Sequence, residues 1–162
     1  MSIIKEKKIE SYPEPVYSDL MEKILDQMRK CVCKVCIDNV EKGTGFFCKI
    51  PDKDKVLPVL ITNNHVINEK ILEKENYKIT LSINNDNEFK EIELKDRKKY
   101  TNKDYDITII EIKEEKDNIK HYLDLDKNAE NDIYTPFIGE SIYILHYPGS
   151  KNVAASFGIL KS

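Results

Sequence analysis

Two neighbouring segments decide how this chain folds: GTGFFCKI at residues 43–50 and VLPVLITNNHV at residues 56–66. The Gly-x-Gly pattern of the first segment predicts a turn that leads into a strand. In the second segment the continuous apolar run Val59–Ile61 predicts a strand buried on both faces. The polar residues Thr62–Asn64 end this run, so His65 is expected just beyond a rigid strand, where its side chain is firmly held.

A second candidate residue is Asp106, which begins the segment DITIIEI at residues 106–112. β-Branched residues dominate that segment and predict a strand. An aspartate at a strand start is usually part of a turn. Here, however, a glycine turn, a strand, a histidine and a hairpin precede it, which is the order of a His–Asp pair assembled across a small barrel. In such a pair a buried carboxylate accepts the imidazole Nδ1–H and stabilises the imidazolium. Asp104, the competing carboxylate, lies in a polar loop and is expected to be solvated.

These motifs resemble those of the trypsin-like serine peptidases, and the setting of the histidine is most similar to the HtrA-like branch. The resemblance covers roughly residues 31–162. The segments that carry it are Gly43–Phe46, Leu60–Val66, Tyr105–Ile110, Gly139–Ile144, Tyr147–Gly149 and Val153–Ile159. It implies an all-β fold with an N-terminal helix: a six-stranded antiparallel β-barrel followed by the incomplete start of a second barrel. It also implies peptide-bond hydrolysis by a Ser-His-Asp triad, with His65 and Asp106 as catalytic residues.

The resemblance does not extend to the nucleophile. In this family it lies downstream of both motifs, in a Gly-x-Ser-Gly-Gly-like loop, and no Gly-x-Ser-x-Gly or Gly-x-Ser-Gly occurs in the 162 residues. The oxyanion donors and most of the specificity pocket would be missing with it. We therefore expect an endopeptidase domain truncated before its nucleophile, serine or cysteine, and inactive as this chain. The alternative is a non-catalytic, protease-derived module that binds a protein partner.

The domain organisation is expected to have four parts. Residues 1–30 form an arm and an amphipathic helix, residues 31–113 the first barrel, residues 114–131 a charged connector, and residues 132–162 the partial second barrel. The helix is predicted because Leu20, Ile24, Leu25 and Met28 recur at helical spacing. The six strands of the first barrel are expected near residues 32–38, 44–50, 56–62, 77–83, 89–95 and 106–112.

Two further histidines and one serine are weaker candidates. His121 lies in the connector and is expected to face solvent. His146 falls in the partial second barrel, where we interpret it as structural or as lining the cleft. Ser156 is expected in a strand without a nucleophile elbow beside it, so it is not assigned as the nucleophile.

Composition limits the partners and the location. Apolar residues make up 40% of the chain and charged residues 34%, with a formal net charge of −3. This mixture is typical of soluble globular proteins and gives no case for nucleic acid or an anionic membrane as a partner. A polypeptide substrate or protein partner is what the family resemblance implies. No run of 18 apolar residues and no signal-peptide core follows Met1, so we expect a cytoplasmic protein without a membrane partner. The family's chemistry needs no cofactor.

The cysteines raise the question of a metal site. Cys33 and Cys36 have the C-x-x-C spacing of zinc ligands, and Cys31 and Cys48 lie nearby in the sequence. Strand alternation sends Cys33 and Cys36 to opposite faces, however, and a tetrahedral site would need further ligands. Four small, buried, reduced side chains are the expectation, with no metal.

Overall fold

A computed structural model describes residues 18–53, 55–125, 141–148 and 152–159. The predicted arm at residues 1–17 and residues 126–140 of the predicted connector and second barrel lie outside these ranges. The elements are α1 Ser18–Lys30, β1 Val32–Ile37, β2 Val40–Asp52, β3 Lys55–Thr62, α2 Glu69–Leu72, β4 Lys78–Ile83, β5 Glu88–Glu93, β6 Lys99–Asn102, β7 Ile107–Glu111, α3 Glu114–Asp117, β8 Ser141–His146 and β9 Ala154–Ile159.

Seven strands form one antiparallel sheet in the order β5-β4-β1-β2-β3-β7-β6, and β8 and β9 form a separate two-stranded ribbon. The prediction of a mainly β protein with an N-terminal helix is confirmed. The count of six strands was wrong, because β6 was missed. This strand reads KYTN, and its residues are exposed or half-buried. It therefore lacks the apolar alternation by which strands are recognised in a sequence.

The core lies on one face of the sheet, and β1 illustrates how the sequence selects that face. Cys33, Val35 and Ile37 alternate along the strand and all point into the core. Among the described residues, sixteen buried side chains form this core: Cys33, Val35, Ile37, Phe47, Leu60, Val66, Ile67, Leu72, Ile79, Leu81, Ile83, Ile92, Leu94, Ile110, Ile112 and Ile119.

Gly45 is needed where β2 crosses this core. A Cβ atom there would lie 2.8 Å from Leu60 Cδ1 and 2.9 Å from Val35 Cγ2. The missing side chain therefore allows β2 to lie close to both of these buried neighbours.

The N-terminal helix packs through a narrower face than its sequence predicts. Ile24 and Met28 are buried, whereas Leu20 and Leu25 are exposed. Among the described residues, no helix is both long enough and apolar enough to cross a membrane.

The described part of the connector packs against the sheet. Ile119 belongs to the core, and Leu123 donates its backbone N–H to Phe47 O over 2.8 Å. Asp117, at the end of α3, forms two charge-assisted hydrogen bonds with Arg97, of 2.6 and 2.7 Å, and both side chains are only 1% exposed. This pair fixes α3 to the turn between β5 and β6.

The β8–β9 ribbon is attached to the outer side of the sheet by polar contacts. Tyr147 donates its backbone N–H to Thr44 Oγ1 over 3.1 Å, and Val153 donates its own to Asn85 Oδ1 over 2.8 Å. The Lys34 ammonium lies 5.3 Å from the centre of the Tyr147 ring. The ribbon is therefore connected to β1, β2 and the turn between β4 and β5.

Candidate active site

His65 sits in a tight turn directly after β3. The backbone N–H groups of Val66 and Ile67 both donate to Asn63 O over 3.1 Å. Val66 packs against Gly43, where a Cβ atom would lie only 2.6 Å from Val66 Cγ2. Thus the first glycine of the Gly-x-Gly pattern leaves room for the residue that follows the histidine.

The turn between β6 and β7 places the side chain of Asp106 beside His65. Asn102 Oδ1 accepts hydrogen bonds from the backbone N–H groups of Asp104 and Tyr105, at 2.9 and 3.1 Å. The backbone of Asp106 is left-handed, with φ of 49°. Aspartate tolerates this conformation better than most residues, and here it places the carboxylate beside the histidine turn.

The His65–Asp106 contact, predicted from the sequence, is present. His65 Nδ1 lies 2.7 Å from Asp106 Oδ2, and the His65 backbone N–H donates to Oδ1 over 2.9 Å. Asn63 Nδ2 adds hydrogen bonds to both Asp106 O and Oδ2, each at 3.2 Å. Both carboxylate oxygens are therefore held by the segment that carries the histidine.

The electrostatics of the pair determine which imidazole nitrogen carries the proton. The backbone N–H of His65, and then its side chain, hold the pKa of Asp106 below the ordinary 3.8, against a smaller opposing effect of desolvation. Ionised at neutral pH, this carboxylate can only accept hydrogen bonds. Nδ1 of a neutral His65 must then donate, which leaves the lone pair on Nε2. The described residues offer Nε2 no hydrogen-bond partner.

One expectation about the pair was wrong. The carboxylate is not buried: the side chain of Asp106 is 45% exposed and that of His65 67% exposed. Asp106 lies at the tip of the β6–β7 hairpin. The preceding residue, Tyr105, is also exposed to solvent. Solvent therefore reaches both members of the pair.

The weaker candidates lie elsewhere. His121 is exposed, as predicted, and so is Asp104. His146 Nε2 lies 2.9 Å from Ser156 Oγ, on the same face of the β8–β9 ribbon. Ser156 lies in the β9 strand, as predicted, and is not assigned as the nucleophile.

The cysteines show no sign of a metal site or a reactive thiol. All four are free, and Cys33 is fully buried whereas Cys36 is half-buried on the opposite face. Burial raises the pKa of Cys31 and Cys48 to about 11 and that of Cys33 further, which disfavours the thiolate. Within the described ranges no three His, Cys, Asp or Glu side chains are placed to hold a metal ion.

No protein-family model and no curated protein matches this chain. The geometry of the His65–Asp106 pair indicates what chemistry it can perform. An imidazole with Nδ1 held by a carboxylate and Nε2 accessible can take a proton and return it. Sequence reasoning identified both members of this pair but missed Asn63 as a partner of the carboxylate, because an asparagine after a strand is equally typical of an ordinary turn.

Proposed function

We propose that His65 and Asp106 are the general base and the orienting carboxylate of a trypsin-like serine endopeptidase. The single observation that carries this proposal is the 2.7 Å contact between His65 Nδ1 and Asp106 Oδ2, together with the backbone hydrogen bond from His65 to Oδ1. In the triad mechanism the carboxylate fixes the imidazole tautomer and stabilises the imidazolium. The two hydrogen bonds join Asp106 to both the backbone and the side chain of His65, so the orientation of the imidazole is fixed relative to the carboxylate.

The fold proposed for this site is a closed barrel, and Arg97 supports it. In a flat sheet five spacings would separate β5 from β7, or roughly 24 Å at about 4.8 Å each. Yet the Arg97 guanidinium donates both to Glu93 O at the end of β5 and to Glu111 O at the end of β7, the latter over 2.9 Å. Ile92 from β5 and Ile110 from β7 also share one core. Such contacts require the sheet to curl until its two ends approach each other.

The proposed reaction follows from the free nitrogen. Nε2 of His65 takes the proton of the nucleophile as that group attacks the peptide carbonyl, and then gives the proton to the leaving amine. The peptide C–N bond breaks, and water afterwards releases the acyl group in a second cycle of the same proton transfers. The nucleophile, serine or cysteine, would come from sequence beyond these 162 residues, as would the oxyanion donors. No cofactor takes part in these steps.

The test is to read the coding sequence beyond Ser162 and to express the extended product. We expect an open frame that reaches a Gly-Ser-Gly or Gly-Cys-Gly loop, and a product that cleaves a generic protein substrate such as casein. Replacing Asp106 by Asn should lower kcat by about 10⁴-fold, and replacing His65 by Ala should lower it by about 10⁶-fold, as for other triads. The 162-residue chain should show no turnover.

His121→Ala and Asp104→Asn are matched controls, because both residues are exposed and lie outside the pair. Each should leave activity within about twofold of the parent. A stop codon directly after Ser162, with a folded product that captures a protein partner, would favour the non-catalytic binding module instead. Proteolysis that survives His65→Ala would refute the assignment of the base.

A further inference from the structure

Behind the proposed catalytic pair lies a row of hydrogen-bonded polar side chains. Asn64 Nδ2 donates to Thr101 Oγ1 over 2.6 Å, and Thr101 Oγ1 lies 2.7 Å from Thr108 Oγ1. Thr108 Oγ1 donates to the backbone oxygen of Ile67 over 2.6 Å. Because the one proton of Thr108 goes to the Ile67 carbonyl, Thr101 is the donor in the contact with Thr108, and the row runs from the Asn64 amide through Thr101 and Thr108 to Ile67. Thr101 Oγ1 has a second, more distant acceptor in Ile107 O, at 3.3 Å.

Both ends of this row lie in the turn that carries the histidine. Asn64 precedes His65 directly, and Ile67 follows it by two residues. The middle of the row belongs to the hairpin that carries the aspartate, since Thr101 of β6 and Thr108 of β7 are directly paired across the ladder. His65 is therefore fixed on either side, and to the same hairpin whose tip presents Asp106.

The row is largely shielded from water, which strengthens it relative to an exposed set of contacts. Thr108 is fully buried, Asn64 is buried, and Thr101 is half-buried. By contrast, the side chains of His65 and Asp106 are both exposed to solvent. An exposed pair of this kind depends for its geometry on the rigidity of the two segments beneath it.

We propose that Asn64, Thr101 and Thr108 act as positioning residues, which fix the His65 turn to the Asp106 hairpin and so set the geometry of the pair. The catalytic significance of this role rests on the proposed peptidase function. The structural part, control of the His65–Asp106 contact, can be tested without it.

The decisive variant is Thr101→Val, which keeps the size of the side chain but removes the acceptor for Asn64 and the donor to Thr108. In the 162-residue chain we expect the low-field proton resonance of His65 Nδ1–H to weaken or shift upfield. The pKa of Asp106 should rise toward its ordinary value, because its hydrogen bonds from His65 lengthen. Thr101→Ser, which retains the hydroxyl, should restore both signals. Asn64→Ala, at the start of the row, should act in the same direction as Thr101→Val.

Thr80→Val is the matched control, because Thr80 is also a half-buried strand threonine but lies on β4, away from the row. It should leave both signals unchanged.

In the extended protein, Thr101→Val should lower kcat by about 10²-fold with little change in KM, the scale of a small misplacement of catalytic groups. If Thr101→Val and Asn64→Ala both fold and leave the His65 and Asp106 signals unchanged, the positioning role is refuted. An inactive extended protein in which these signals do respond would instead refute the peptidase function alone.

Discussion

At the scale of single residues, the site depends on an aspartate held in a backbone conformation that few residues adopt. The φ of 49° at Asp106 turns its carboxylate toward His65, where three N–H groups from residues 63 and 65 reach it. Hydrogen bonding to the charged form lowers the pKa of a carboxyl group. The contact is therefore coupled to pH through Asp106.

The stability that Asp106 contributes therefore depends on pH. Because the pKa of folded Asp106 lies below 3.8, its contribution to stability is present above pH 3.8 and is lost as the pH falls through the folded value. A ¹³C titration of the aspartate carboxyl groups should show Asp106 titrating below pH 3.8, and His65→Ala should raise the Asp106 midpoint. An Asp106 midpoint at or above 3.8 in the parent chain would contradict the hydrogen-bonded geometry.

The contact between these two residues could be predicted from the sequence because their motifs occur together and in a particular order, whereas their catalytic roles stay a prediction. Sequence reasoning did not find the supporting asparagines and threonines, for a physical reason. Thr101 lies in a short polar strand and Asn64 in a polar turn, and both residue types are common in such places. Their role depends on which strands lie side by side, and a single sequence does not specify this.

At the scale of elements, one connection is the buried ion pair of Arg97 and Asp117. It joins the β5–β6 turn to α3, and Arg97 also donates to the ends of β5 and β7. Its two carboxylate hydrogen bonds compensate for removing both charges from water. Removing one partner would leave the other buried and unpaired, which is far more costly than losing an exposed pair.

Arg97→Met should therefore lower the free energy of unfolding by about 3–5 kcal/mol. Urea denaturation measures this change directly. The control is Lys78→Met, which removes the ion pair between Lys78 and Glu91. These side chains are 56% and 67% exposed, so the substitution should lower the free energy of unfolding by at most about 1 kcal/mol. Equal effects of the two substitutions would show that the Arg97 pair is not buried in solution.

Element prediction also succeeded or failed for identifiable reasons. The strands β1, β2, β3, β4, β5 and β7 were found because β-branched or alternating apolar residues mark them. β6 was not, and neither was α3, whose four residues are all charged. Both are held in place by tertiary contacts, in which Arg97 and the Thr101–Thr108 pair take part, rather than by local propensity.

At the scale of the whole molecule, polar contacts join the β8–β9 ribbon to the main sheet and to α1, where Tyr143 Oη donates to Gln27 Oε1 over 2.8 Å. Lys34 is central to this interface: it is buried, binds Asp86 over 2.8 Å and lies beside the Tyr147 ring. The hydrogen bond with Asp86 raises the pKa of Lys34, and that with Lys34 lowers the pKa of Asp86. This ion pair should therefore contribute from above pH 3.8 to below pH 10.5, and should be lost only beyond that range.

Lys34→Met tests this interface. It should accelerate amide hydrogen exchange in β8 and β9 at neutral pH, because the contacts with Asp86 and Tyr147 are lost together, while β3 and β7 retain their protection. Lys78→Met again serves as the control, since that lysine lies on β4 and forms an exposed ion pair with Glu91. Unchanged exchange in the ribbon would mean that Lys34 does not hold it in place.

The central claim, that Asp106 holds His65 with a free Nε2, is tested most directly by the long-range ¹H–¹⁵N spectrum of the imidazole in its neutral form. We predict that His65 carries its proton on Nδ1, and that Asp106→Asn abolishes this preference whereas Asp104→Asn does not. A neutral His65 protonated on Nε2 in the parent chain, or a tautomer indifferent to Asp106→Asn, would contradict the account.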